Sequence, residues 1–178
     1  MDVRATKIQL LRQVHALEDE IEASFGHVET GSGEEKRGLL WYLRHSRLSV
    51  ALTVPVIYGC LVPFLLLDLS LRVYEAVCFP LYGIPKVKRS QYLIFDRGRL
   101  PYLNALEKLH CYYCSYVNGL CAYATEIVAR TEQHWCPVKH ALPIRSPHSR
   151  YGKFFVYGDA QDYARRVEEV RRDFADLQ

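Results

Sequence analysis

From Leu48 to Leu67 the chain runs for twenty residues without one charged side chain. A helix rises about 1.5 Å per residue, so such a run matches a hydrocarbon core of about 30 Å. A buried helix of a soluble domain is the competing reading, but so long a charge-free run is uncommon in a chain of 178 residues. Pro55, Gly59 and Pro63 interrupt the run, and apolar character continues past Asp68 through Val73, Val77, Phe79 and Leu81 to Ile84. Residues 48–84 are therefore read as a membrane anchor, built as a hairpin, a re-entrant segment or a single span. Basic residues flank both ends, with Lys36, Arg37, Arg44 and Arg47 before and Lys86, Lys88 and Arg89 after. That symmetry is best satisfied if both ends, and hence both termini, lie in the cytoplasm, which favours a hairpin or re-entrant form. Asp68, Arg72 and Glu75 fall at i, i+4 and i+7, so one helical face is expected to carry a charge-paired strip at the membrane edge.

The remaining periodicities are helical, and the expected fold class is mainly α: the anchor plus a small helical Cys/His domain with amphipathic terminal helices. Leu10, Val14, Leu17, Ile21 and Phe25 mark an amphipathic helix over 1–25, and the Gly- and charge-rich stretch 26–47 reads as linker and basic flank. Residues 85–145 form the Cys/His region. Tyr92–Phe95 is a short strand or interfacial loop, Pro101 suits the first turn of a helix, and Gly119 offers a break at which the chain folds back. Residues 146–178 are a loop and a last helix capped by Asp159, with Tyr163, Val167, Val170, Phe174 and Leu177 on one face. A net charge of +3, scattered along the chain, gives no basis for nucleic-acid binding. Met1 to Phe25 lacks the pattern of a signal peptide, so the six cysteines are read as reduced thiols.

The chemistry-bearing residues gather between Asn104 and His140. Cys111-x2-Cys114 and Cys136-Pro137-x2-His140 are two potential chelating pairs separated by 21 residues. Two thiolate or imidazole donors from each of two short elements can close tetrahedrally around one ion. Cys111, Cys114, Cys136 and His140 are the candidate ligands, with zinc first and an iron–sulfur cluster as the alternative. Asn104, Glu107 and Glu126 could orient such ligands from behind. Core packing is the competing account of every cysteine, and for Cys60, Cys78 and Cys121 the preferred one. No Glu-x-x-His pair, nucleophile elbow or phosphate loop occurs, so di-metal carboxylate, acyl-transfer and P-loop chemistry have no sequence support.

The run from Tyr92 to His140, with Phe95-Asp96-Arg97, Tyr102-Leu103-Asn104, Cys111-x-Tyr113-Cys114, Asn118-Gly119, Arg130-Thr131-Glu132-Gln133 and Trp135-Cys136-Pro137-x-Lys139-His140, resembles a group of bacterial membrane-associated proteins with a CxYC…WCPxKH motif. The resemblance covers about half of the chain and includes the apolar stretch. It implies a bacterial inner-membrane setting and no particular activity. The expected function is a membrane-anchored metal-binding accessory protein or subunit of a membrane complex, its Cys/His site cytoplasmic. Its partners are the lipid bilayer and other membrane subunits, the latter docked through the terminal helices. A membrane-bound metal or iron–sulfur redox enzyme and a purely structural membrane subunit are the alternatives, and whether the chain is an enzyme stays open.

Overall fold

The computed structural model describes residues 48–177 and, before them, Gln13, Ala16, Leu17 and Glu20, which are helical. The rest of the N-terminal amphipathic segment and the linker lie outside the described residues. Two compact units divide the chain: Met1–His45 with Asp96–Cys111, and Ser46–Phe95 with Tyr112–Gln178. The described structure is mainly helical, with α1 over Leu48–Gly59, α2 over Leu61–Tyr82, α3 over Ala105–Trp135 and α4 over Tyr163–Arg172. Among the described residues extended pairing is confined to a parallel bridge between Val138 and Phe155.

The apolar stretch is a rod, not the expected hairpin. Cys60 N–H donates to Val56 O at 3.2 Å and Phe64 N–H to Cys60 O at 3.4 Å, so the helical ladder carries across the joint between α1 and α2. Pro55 and Pro63 each remove one donor without turning the chain. Leu52–Tyr82 is thus one helix of 31 residues, long and apolar enough to cross a membrane. Gly83 ends it: at φ +67° it takes the left-handed conformation that a residue with a Cβ resists, and Ile84 N–H closes the end on Phe79 O.

Only one face of this rod is covered. Phe64, Asp68, Leu71, Tyr74, Glu75 and Phe79 turn inward, whereas Leu65, Leu66, Leu69, Val73, Val77 and Leu81 are exposed. Further along, Leu52, Val54, Val56 and Ile57 are exposed as well. A helix that is apolar on the faces it leaves uncovered requires a non-aqueous neighbour.

Against the covered face lies α3. Tyr113 meets Ile57, Tyr116 meets Asp68, Tyr123 meets Glu75, and His134 stacks on Tyr82 at 5.3 Å. The partners rise together along both helices, so α2 and α3 are parallel. Parallel neighbours need a connection that travels the whole way back. Here residues 84–95 return as a strap in the groove between the two helices. Val87 lies beside Glu75 and Arg89 beside Asp68, while Tyr92 passes Gly119. Tyr92–Phe95 is therefore neither strand nor free loop: a 3-10 turn over Arg89–Gln91 leads into it, and Leu93 is buried in the core with Phe79, Leu120, Tyr123 and Ile127.

Gly119 does not break the helix. It sits buried inside unbroken α3, where a Cβ would lie 2.5 Å from Tyr92 O. Its absent side chain is what allows the strap's backbone to pass. Replacement by Val should destabilise the protein by about 1–3 kcal/mol through this overlap. At exposed Gly59, which has open space around it, Ala should instead be neutral or stabilising by up to about 1 kcal/mol. Denaturant unfolding of both variants in the same detergent compares them directly.

Candidate functional site

The buried polar groups are the natural place to look for chemistry, because an ionisable residue on an apolar helix is costly unless it is used. Asp68 and Glu75 stand two turns apart on α2 and are 7% and 8% exposed. Asp68 Oδ2 accepts from Arg89 Nη2 at 2.7 Å and from the Tyr116 hydroxyl at 3.0 Å. Glu75 Oε2 accepts from the Tyr123 hydroxyl at 2.6 Å, and its Oε1 from the Val87 backbone N–H. Each carboxylate therefore binds one tyrosine of α3 and one group of the strap. Arg72, the expected ion-pair partner, is exposed, and Arg89 takes its place from the strap. Two turns amount to roughly 10 Å of rise, which is too far for a shared-proton pair. Two buried atoms of this cluster, Asp68 Oδ1 and Arg89 Nε, have no hydrogen-bond partner.

A second polar cluster closes the far end of α3. Gln133 is fully buried; its Nε2 donates to Val170 O and Asp173 O, both at 2.8 Å, and its Oε1 accepts from Arg150 Nη1 at 2.7 Å. The side chain thus adds a donor to two carbonyls at the end of α4, Val170 O, which also accepts from the Asp173 N–H, and Asp173 O, which also accepts from Lys153 Nζ. Arg150, 2% exposed, lies over the Phe174 ring and pairs with Asp176 at 3.2 Å. Arg130 pairs with Glu126 at 2.8 Å and donates to Pro85 O and Lys86 O, which pins the start of the strap. His134 is held below its ordinary pKa by burial, reinforced by Arg171. Asp176 is held below the usual carboxylate range chiefly by its hydrogen bond from Lys153.

The expected ligands are not brought together. Cys114 lies near the start of α3 and Cys136 just beyond its end; the 21 residues between them form helix, which sets the two about 33 Å apart in rise. The return at Gly119 that would have joined the pairs does not occur. Nor are Cys136 and His140 one helical turn apart, because Pro137 and Lys139 bond to Phe155 in the extended bridge. His140 instead donates its N–H to the Tyr151 hydroxyl and stacks on that ring. Among the described residues no three His, Cys, Asp or Glu side chains gather as a metal site would need.

The supporting residues have other employment. Asn104 Oδ1 accepts from the N–H groups of Leu106 and Glu107, and Glu107 Oε2 accepts from Asn104 N–H at 2.9 Å. This reciprocal capping box starts α3 at Ala105, later than Pro101 suggested. Glu126 belongs to the Arg130 cluster and accepts from the Ser149 hydroxyl. Asp159 is not the cap of α4 but pairs with Arg166. Sequence reading missed Tyr116, Tyr123, Arg130, Gln133 and Arg150. All but Arg150 lie on one stripe of α3 at helical spacing, a pattern the search for metal ligands passed over.

Two outcomes follow. Arg150→Ala should cost about 3 kcal/mol, because it strips a buried charge from Glu126 and Gln133. Asp176 has a lower pKa folded than unfolded, so its contribution is complete above the unfolded value, near 3.8, and is lost as pH falls through the folded value. Protection against amide exchange across 163–177, taken relative to the intrinsic rate at each pH, should be high at neutral pH and fall in acid below that range, and Asp176→Asn should remove much of the acid dependence.

No family model matches the chain, and no curated protein or solved structure is found to match it.

Proposed function

We propose that this protein is a membrane-anchored accessory or structural subunit, held in the bacterial inner membrane by α1 and α2 and offering its helical α3–α4 region to a membrane complex. The observation that carries the reading is the rod Leu52–Tyr82, whose uncovered faces are apolar from Leu52 to Leu81 apart from Thr53, Ser70 and Arg72. Its two acidic residues are turned inward and bonded, so no acidic side chain meets the surroundings between residues 52 and 95. The bacterial setting rests on the motif resemblance of residues 92–140.

The second support is what the polar groups do. Carboxylates, tyrosines and buried arginines serve to hold strap, helix and C-terminal segment together, and their bonds are made within the chain. That is the pattern of a scaffold. The proposal includes neither zinc nor an iron–sulfur cluster, because one uninterrupted helix keeps the candidate donors apart within a chain. It also includes no reaction, since among the described residues the polar groups of α2 and α3 are bonded to one another, to the strap and to the C-terminal segment.

The chain should sediment with membranes, resist extraction by high salt and by alkaline carbonate, and be released by detergent. Placing Asp at both Val54 and Ile57, each exposed on the rod, should cost about 5 kcal/mol of insertion free energy and move much of the protein out of the bilayer fraction. Wild-type protein that stayed in the supernatant without detergent would refute the anchor.

A further inference from the structure

We infer that α3 is also embedded in the bilayer, so that its uncovered face from Tyr112 to Thr125 contacts lipid acyl chains beside the rod. The inference rests on the proposed anchor and extends it to a helix that hydropathy alone passes over.

The Tyr113 hydroxyl donates to Ile57 O at 2.8 Å, and the Tyr113 ring packs on Tyr58 at 5.2 Å. Ile57 is the tenth residue of the twenty-residue charge-free run, at its middle. If that run fills the hydrocarbon, the part of α3 touching its middle lies in hydrocarbon too. From there α3 runs parallel to α2, whose exposed face stays apolar past Asp68 through Leu69, Val73, Val77 and Leu81, so the stretch from Tyr116, beside Asp68, to Tyr123, beside Glu75, is level with that apolar face.

Composition agrees with this placement. Leu109 to Thr125 contains 17 residues with no Asp, Glu, Lys or Arg, about 25 Å of helix. The next residue, Glu126, opens the charged end, where Arg130 holds Pro85 O and Lys86 O. Of the exposed basic residues, Lys86 belongs to this end, while Arg72, between Asp68 and Glu75, and Lys88, beside Arg89, stand level with Tyr116 to Tyr123 and carry their charge on long stems that can reach the interface. Strap residues 90–95 are likewise free of charge and run beside the charge-free part of α3, Leu93 buried beside Gly119 and Phe95 packed on Tyr112.

Hydrogen bonding gives an independent support. Polar side chains that face water need no partner in the protein, whereas those facing hydrocarbon must be satisfied internally. On the uncovered face of α3, Asn118 Nδ2 donates to Cys114 O and the Thr125 hydroxyl to Cys121 O, both at 2.9 Å. Ser70, on the exposed face of the rod, does the same with Leu66 O at 2.7 Å. The strap, a non-helical segment, is admissible at membrane depth because it lies against protein, with Tyr92 and Leu93 N–H groups bonded to Arg89 O.

The native cysteines report the outcome. Cys114, Cys121 and Cys136 are all exposed in the structure. In water the three would react alike; in the inferred placement only Cys136 meets water. Full-length variants retaining one of these cysteines, the other five replaced by Ala, are placed in lipid nanodiscs open on both faces and treated with a charged, water-soluble maleimide. Cys114 and Cys121 should react at least tenfold more slowly than Cys136, and all three should react alike after denaturation in urea and dodecyl sulfate. A bimane placed on Cys121 before reconstitution should be quenched by lipids spin-labelled along the acyl chain. Reaction of Cys121 within about threefold of Cys136, or protection without acyl-chain quenching, overturns the inference while leaving the anchor standing. Protein that fails to enter nanodiscs removes the anchor and the inference together.

Discussion

Everything in the packed unit depends on two carboxylates placed where an apolar helix would be expected to have none. Desolvating Asp68 and Glu75 costs several kcal/mol unless each finds partners, and the partners found come from two different segments. Arg89 and the Val87 N–H belong to the strap, and Tyr116 and Tyr123 to α3. In both cases the tyrosine lies 48 residues further along the chain, so the two bonds specify the same register between the helices. Apolar contacts alone would let one helix slide on the other by a turn at little cost. Paired acids with matched tyrosines do not, because a one-turn slip would strip both carboxylates of their tyrosine donors together.

The far end of α3 is fixed by the same principle in a neutral form. Gln133 donates its amide to two carbonyls at the end of α4, and its own oxygen accepts from the buried guanidinium of Arg150. The C-terminal segment is thereby attached through backbone groups at its helix end and through Asp173 and Asp176 to Lys153. Apolar burial of Val167 and Phe174 adds the remainder. The amphipathic face of α4 was readable from spacing; the residue that receives it, a glutamine on another helix, was not.

Sequence periodicity made the helices legible and left the connections obscure. The apolar run, the mainly α class and the Tyr163, Val167 and Val170 part of the face of α4 followed from spacing of three and four residues, whereas Phe174 and Leu177 lie beyond the end of that helix at Arg172. The hairpin was inferred from basic residues on both flanks, and it failed because the joint at Cys60 keeps its ladder despite two prolines. Gly119 was read as a break because glycine is a poor helix former; its role is to admit the Tyr92 backbone, a property of a neighbour that no local pattern records. The cysteine pairs carried a metal-like spacing, but spacing along a chain becomes proximity only if the chain turns. The capping box of Asn104 and Glu107 starts a helix that continues to Trp135, and continuation is what separates the thiols. Asn104-x2-Glu107 was visible as a capping pattern, yet was assigned to ligand support.

The close passage of Tyr92 beneath Gly119 also dictates an order of assembly. A segment that lies in a groove between two parallel helices, with backbone in contact with one of them, cannot be threaded in after those helices have met. The strap must settle on α2 first, drawn by the acids at positions 68 and 75, and α3 must close over it afterwards. Synthesis from the N-terminus presents the pieces in that sequence: rod, then strap, then cover. A helix as polar as α3 thus meets a surface already prepared for it, and its packing becomes a docking step, conditional on the chain that emerged before it.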